Sequence, residues 1–180
     1  MAVNIVYFVH GTTTDNEAKL CSGWREAMLS DLGREQAHKL GNTSRKRGDR
    51  FDVVITSDLE RAIETSNIAF PECEKLTDKR LRECNYGDLD GEHKSLVIYE
   101  EHVDEAFPNG ESLKDVENRI REFVQYLKDN YDNQTVAIIA HRAPQLALDV
   151  VLKGKSWEDA NKDDWRKHGA WQPGWEYIIY

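Results

Sequence analysis

Val3–Asn16 reads VNIVYFVHGTTTDN, and the fold turns on that stretch. Val3, Ile5, Val6, Tyr7, Phe8 and Val9 form a short β-branched and aromatic run. It is too short to cross a membrane and suits a strand buried on both faces. The run stops at His10-Gly11, and three threonines follow. A buried strand ending this way puts an imidazole at the carboxyl edge of a sheet. Gly11 allows a sharp turn, and the amides and hydroxyls of Thr12, Thr13 and Thr14 are candidate anion donors facing inward. A strand-ending histidine beside an ordinary polar turn is the competing account of the same residues.

The rest of the composition narrows the class. At 180 residues, 39% hydrophobic and 32% charged, the chain is expected to be a single globular domain over 1–180. No apolar run reaches transmembrane length, and no basic region precedes an apolar one at the N-terminus, so a cytoplasmic location is expected. Cys21, Cys73 and Cys84 are odd in number and lack C-x-x-C spacing, which disfavours a disulfide framework or zinc site. With 24 basic against 33 acidic residues the net charge is −9, which argues against nucleic acid or an anionic membrane as partner. The cluster Arg45-Lys46-Arg47 with Arg50 falls at an expected helix end, where cations complement the dipole.

Periodicity then orders the elements. Residues 15–29 read as a loop with a short helix, and Ser30 as the N-cap of a helix carrying Leu32, Gln36, Ala37 and Leu40. Asp52–Thr56 is a second buried strand. Ser57-Asp58-Leu59-Glu60 has capping-box form, so a helix is expected at once, running to about Phe70 with Arg61 in its first turn. An arginine at the positive end of a helix is a good place for a phosphate, although an ion pair with a surface carboxylate explains a lone arginine equally well. Leu76–Arg82 reads as a short strand, and residues 93–110 as a helix and an acidic loop. Ser112 caps the clearest helix, with Leu113, Val116, Ile120, Phe123, Val124 and Leu127 on one stripe.

Thr135–Ala140 is a third buried strand, and it too ends in a histidine, His141. Pro144 suits the first turn of the helix that follows. Gly154-Lys155-Ser156 mimics the tail of a P-loop, but the glycine needed five residues earlier is Asp149. Ser156 is instead a cap, and Gly174–Tyr180 a last strand. Trp157, Trp165, Trp171 and Trp175 are expected to form a satellite core, with an oligomer contact as the lesser alternative.

Strands alternating with helices predict a three-layer α/β/α sandwich with a mostly parallel central sheet, whose site lies at the carboxyl strand ends. Two strands ending in histidine and a third followed by a helix-initial arginine would converge on that edge. The chain here resembles the histidine phosphatase superfamily, the phosphoglycerate mutase-like proteins. The residues that carry the resemblance are His10-Gly11-Thr12-Thr13 with Asn16, Gly23-Trp24 through Gly33, and Ser57–Ala62 with Thr65. Leu81-Arg82-Glu83 with Gly87 and Gly91, Gly110-Glu111-Ser112 and Ala140-His141 complete it over residues 3–150.

The resemblance implies a metal-independent phosphatase, without cofactor, acting on a small phosphomonoester through a phosphohistidine on His10. It would place Arg61 and His141 on the phosphoryl oxygens, and Glu83 as the acid that protonates the leaving oxygen, favouring mildly acidic conditions. Gly11, Thr12, Thr13, Asn16 and Trp24 would line the phosphate pocket or its rim. The chain departs from the family signature at the acidic position, which is Thr12, and at the arginine that precedes the nucleophile, which is Val9 here. Losing one such donor typically costs on the order of a hundredfold in rate. Arg142 is the candidate replacement, unless it points outward to a surface acid. Phosphoglycerate mutase-type transfer is a second implied activity, and a degenerate member that only binds a phospho-ligand or protein a third. The acidic run Glu100, Glu101, Asp104 and Glu105 lies either over the pocket or on a solvated face.

Overall fold

The computed structural model describes residues 2–167 and 174–180. β1 (Val3–Val9), β2 (Val53–Thr56), β3 (Lys75–Thr77), β4 (Thr135–Ala140) and β5 (Trp175–Ile179) form one sheet in the order β3-β2-β4-β1-β5. All neighbours are parallel except β5, which lies antiparallel on the outer side of β1. The helices are α1 (Thr14–Glu17), α2 (Asp31–Arg47), α3 (Glu60–Ala69), α4 (Leu113–Asn130), α5 (Arg142–Lys153) and α6 (Trp157–Lys162).

Alternation along the central strands divides the core into two layers. Phe8, Val54, Ala137 and Ile139 meet Leu40 of α2 and Ala62 and Ala69 of α3 on one face. Ile5, Tyr7, Val9, Ile55, Val136 and Ile138 meet Ile120 and Phe123 of α4 and Leu146 of α5 on the other. The sheet is therefore covered on both sides, as expected of its continuous apolar strands. The caps at Ser30, Ser112 and Ser156 form as expected, each accepting from the amide three residues on. Arg45, Lys46 and Arg47 occupy the last turn of α2.

Four expectations need correction. The helix after β2 starts at Glu60, with Leu59 as an N-cap that lends no side chain, and Ser57 accepts only from the Leu59 amide. Asp58 is drawn away by Arg82, which grips its two oxygens at 2.7 and 2.8 Å. The strand expected over 76–82 is the three-residue β3 followed by a 3₁₀ turn at Lys79–Leu81, capped by Asp78. Residues 93–110 contain two 3₁₀ turns in place of a helix, at Lys94–Leu96 and Tyr99–Glu101. Their backbone pairs elsewhere: Lys94 N–H donates to Lys19 C=O, and the carbonyls of His102 and Val103 accept from the amides of Leu113 and Lys114. Finally, the tryptophans do not form a satellite core. Trp157 is buried and donates to Glu117, and Trp165 and Trp175 pack on the main core cluster with rings 5.6 Å apart. Trp171 lies outside the described residues.

One close approach positions the site. The loop after β1 lies against α2, where a Cβ on Gly33 would collide with the Thr12 carbonyl and one on Gly11 with the Gly33 carbonyl. Alanine at Gly33 would gain about 1 kcal/mol of helix propensity. Overpacking typically costs about 1–3 kcal/mol, and here the obstacle is backbone, which cannot rotate aside. We therefore expect Gly33→Ala to lower the urea unfolding midpoint; a raised midpoint would refute the close approach.

Candidate active site

Sheet register assembles the centre. Val9 pairs with Ala140 at the carboxyl ends of β1 and β4, and the His10 amide donates to the Ala140 carbonyl at 3.0 Å. The next residue on each strand is a histidine, and the two imidazole centroids lie 5.1 Å apart. Thr56 of β2 pairs with Ile139, so α3 starts one strand away and presents Arg61 from its first turn. The site thus lies outside the carboxyl strand ends on either side of β4.

Each side chain is held by named partners. His10 Nδ1 is 2.6 Å from the Gly11 carbonyl, which requires the proton on Nδ1 and leaves the Nε2 lone pair for the cavity. Burial, then the charge of Arg61, press its pKa down from 6.5 to about 3, so the ring is neutral. His141 is fully buried, and neither ring nitrogen has a partner among the described residues. Its backbone is clamped by Tyr7, whose hydroxyl donates to the His141 carbonyl at 2.6 Å and accepts from its amide at 3.0 Å. Desolvation, then Arg61 and His10, hold its pKa well below the ordinary histidine value. Arg61 is buried, its guanidinium donating to the carbonyls of Gly23 at 2.7 Å and Arg25 at 3.1 Å. Glu83 rests at the N-terminus of α5: Oε1 accepts from the amides of Cys84 and Ala143 at 2.9 Å, and Oε2 from that of Arg142 at 3.2 Å.

A cavity of about 490 Å³ opens over His10, Arg61 and Glu83. Of the residues singled out in the sequence, His10, Thr12, Asn16, Arg61, Glu83 and Arg142 line it. Gly11, Thr13, Trp24 and His141 do not, and the His141 ring adjoins the cavity-lining His10 at 5.1 Å between centroids. Thr13 is buried as the cap of α1, and Trp24 donates its indole N–H to the Glu83 carbonyl at 2.8 Å from outside the cavity. The threonine amides are not anion donors, because each is already engaged. Thr12 donates to Gln36 Oε1, Thr13 to Asn16 Oδ1 and Thr14 to the Met28 carbonyl, while the Gly11 amide donates to Thr65.

Arg142 resolves differently from either alternative. It lies along the cavity, but its guanidinium is bound to Asp164 at 2.6 Å and Asn161 at 3.0 Å and stacks on Tyr99 at 4.1 Å. Its acid is fully buried, not on the surface. Sequence reasoning missed Lys94, Trp165 and Arg166, which also line the cavity. The one available signal was the run Asp164-Trp165-Arg166, an acid and a base flanking a tryptophan. Of the acidic run, Glu100 and Asp104 line a separate groove of about 680 Å³.

Two neutral buried imidazoles make stability depend on pH. Below about 6.5 the unfolded chain binds protons that folded His10 refuses until about 3. Stability should therefore fall as pH drops through that window. We expect the His10 ring protons to titrate near 3 by NMR, and His10→Gln to flatten the pH dependence of the unfolding free energy. A folded His10 that titrates near 6.5 would contradict the assignment.

Comparison with known proteins agrees with this arrangement. The model of the histidine phosphatase superfamily (branch 1) matches residues 6–168. A 2,3-bisphosphoglycerate-dependent phosphoglycerate mutase of Bartonella bacilliformis is 32% identical over 176 residues, covering 88% of this chain and 85% of that protein. A phosphoglycerate mutase of Schizosaccharomyces pombe is 33% identical over 165 residues, covering 81% and 77%. Among solved structures, a mycobacterial glucosyl-3-phosphoglycerate phosphatase in complex with VO3 superposes with a TM-score of 0.80 at 26% identity, over 88% of this chain and 86% of that one. An alpha-ribazole phosphatase from Shigella flexneri gives 0.78 at 25% identity, over 88% and 84%. On residue match, strand order and sheet register together, the chain belongs to the histidine phosphatase superfamily.

Proposed function

We propose that the protein is a phosphatase that hydrolyses a small phosphomonoester through a phosphohistidine on His10, with no metal in the chemical step. The observation that carries this reading is the pairing of a neutral His10, its tautomer fixed by Gly11, with a buried His141 whose ring nitrogens have no partner among the described residues. Buried polar atoms without partners are uncommon, and here they adjoin a nucleophile beside a cationic cavity. A phosphoryl group would supply what they lack.

In the first step His10 Nε2 attacks phosphorus in line with the leaving oxygen; the P–N bond forms and the P–O bond to the substrate breaks. Arg61 and His141 hold the equatorial oxygens, where negative charge is greatest. The substrate enters as its monoanion, and Glu83 relays its proton to the departing oxygen. Its Oε2 carries a single amide contact and is the oxygen best placed to change partners. In the second step water attacks phosphorus, Glu83 takes the water's proton, and the P–N bond breaks to release phosphate. Thr12 and Asn16 stand at the cavity wall. Val9, where the signature has arginine, removes a bidentate donor from the first step.

Transfer of the phosphoryl group back to a sugar acid is the second reading, favoured by the phosphoglycerate mutases at 32–33% identity. It requires that water be kept from the phosphohistidine, and the cavity over His10 is open to solvent.

The test is hydrolysis of p-nitrophenyl phosphate with a chelator present. We expect turnover to survive the chelator, to vanish in His10→Ala, and to fall about 10²–10⁴-fold in Glu83→Gln. Acid quenching should trap phosphate on His10. Turnover that persists in His10→Ala would overturn the reading, and label transfer to 3-phosphoglycerate in preference to water would replace it with the mutase.

A further inference from the structure

We propose that Arg166, from the segment after α6, supplies the phosphoryl-binding cation whose usual place before the nucleophile is taken here by Val9. The proposal rests on the phosphohistidine reading above. Val9, Trp165 and Arg166 line the same cavity as His10, so the apolar vacancy and the candidate cation face one space.

Charge counting around Asp164 points to Arg166 and away from Arg142. Asp164 is fully buried and meets both: Oδ2 binds Arg142 Nε at 2.6 Å, and Oδ1 binds Arg166 Nη1 at 3.2 Å. Oδ1 also accepts from the Arg166 amide at 3.1 Å. One carboxylate between two guanidiniums leaves one positive charge in excess. Arg142 is the more firmly engaged of the two, through its shorter bond to Asp164, the Asn161 contact and the Tyr99 stack. Asn161 is itself fixed by Glu100. Arg166 has the longer bond to Asp164 and rests on the Trp165 ring at 4.6 Å. A guanidinium carries five N–H donors, and the Nη1 contact takes up one side of the fork.

Two further observations agree. The charge of Arg61, and to a lesser extent that of Arg166, bears on both His10 and His141 and disfavours their protonation, and Arg166 shares its cavity with His10. The indole Nε1 of Trp165 is buried without a partner among the described residues, at the wall of the same cavity. Together with Arg166, whose guanidinium among the described residues is bound only to Asp164 through Nη1, this donor forms a second anion-binding group in the cavity that Arg61 also lines. Asp164 acts here as a positioning residue, aiming Arg166 while Arg142 fixes Asp164.

The experiment measures orthovanadate binding by calorimetry together with p-nitrophenyl phosphate kinetics in wild type, Arg166→Ala, Arg166→Gln and Arg166→Lys. Neither probe has a second anionic group, so both report on the phosphoryl site alone. We expect Arg166→Ala to lower kcat and weaken orthovanadate by about a hundredfold, the usual effect of losing one preorganised donor. Arg166→Lys should recover part of both, because it keeps the charge but not the fork. If Arg166→Ala does not fold, Arg166→Gln, which keeps the length and an N–H donor without the charge, should show at least a tenfold loss. Wild-type kcat and orthovanadate affinity in Arg166→Ala or in folded Arg166→Gln would overturn the inference while leaving the phosphohistidine reading intact. Wild type that binds orthovanadate no better than His10→Ala would overturn both.

Discussion

Everything at the site depends on the hydrogen-bonded register between β1 and β4. The pairing of Val9 with Ala140, continued by the bond from the His10 amide to the Ala140 carbonyl, brings together two histidines 131 residues apart in the chain. A slip of one residue would send each side chain on β1 to the opposite layer. Phe8 would then face α4 and Tyr7 would face α2, so two differently shaped cores enforce the register. Tyr7 contributes twice, as core packing and as the clamp on the His141 backbone. Fold stability and site geometry are therefore secured by the same strand.

That coupling explains why so much was legible in the sequence. The strands β1, β2 and β4 are largely apolar runs, interrupted in β1 only by the exposed Asn4, and polar residues follow each of them. Helix caps are local, so Ser30 and Ser112 were readable. What was not legible depended on partners distant in sequence. Ser57 looks like a cap, but Arg82 takes Asp58 and the helix starts later. The threonine amides look free, but Gln36, Asn16 and Met28 occupy them. Residues 93–110 carry enough apolar side chains for a helix, yet their backbone groups pair with Lys19 after α1, with Asp88 and with the start of α4. No local pattern records such competition.

Electrostatics shows the same division. The chain is strongly acidic overall, with a net charge of −9, yet its carboxyl-end cavity gathers Arg61, Lys94, Arg142 and Arg166. Surface acids disfavour polyanions at large, whereas a buried cation such as Arg61 is little screened and attracts a small anion strongly. Composition reports only the first effect. The second requires knowing that Arg61 is wrapped by backbone carbonyls, which leave its charge uncompensated, and that Asp164 is shared.

The place of Val9 follows from that sharing. Val9 belongs to the apolar layer with Tyr7 and Ala140. Val9 also borders the cavity, and Arg166 lines that same cavity from the segment after α6. On the inference drawn above, a cation carried by the segment after α6 would serve where the family signature has one directly before the histidine. Trp165, on which Arg166 rests, packs against Trp175 of β5, and Trp175 against Tyr7. The path from the cation to the nucleophile therefore runs through two ring contacts back to β1. Any change that loosens β5 should reach the phosphoryl site through Trp165 before it reaches His10, whose position the parallel pairing with β4 holds independently.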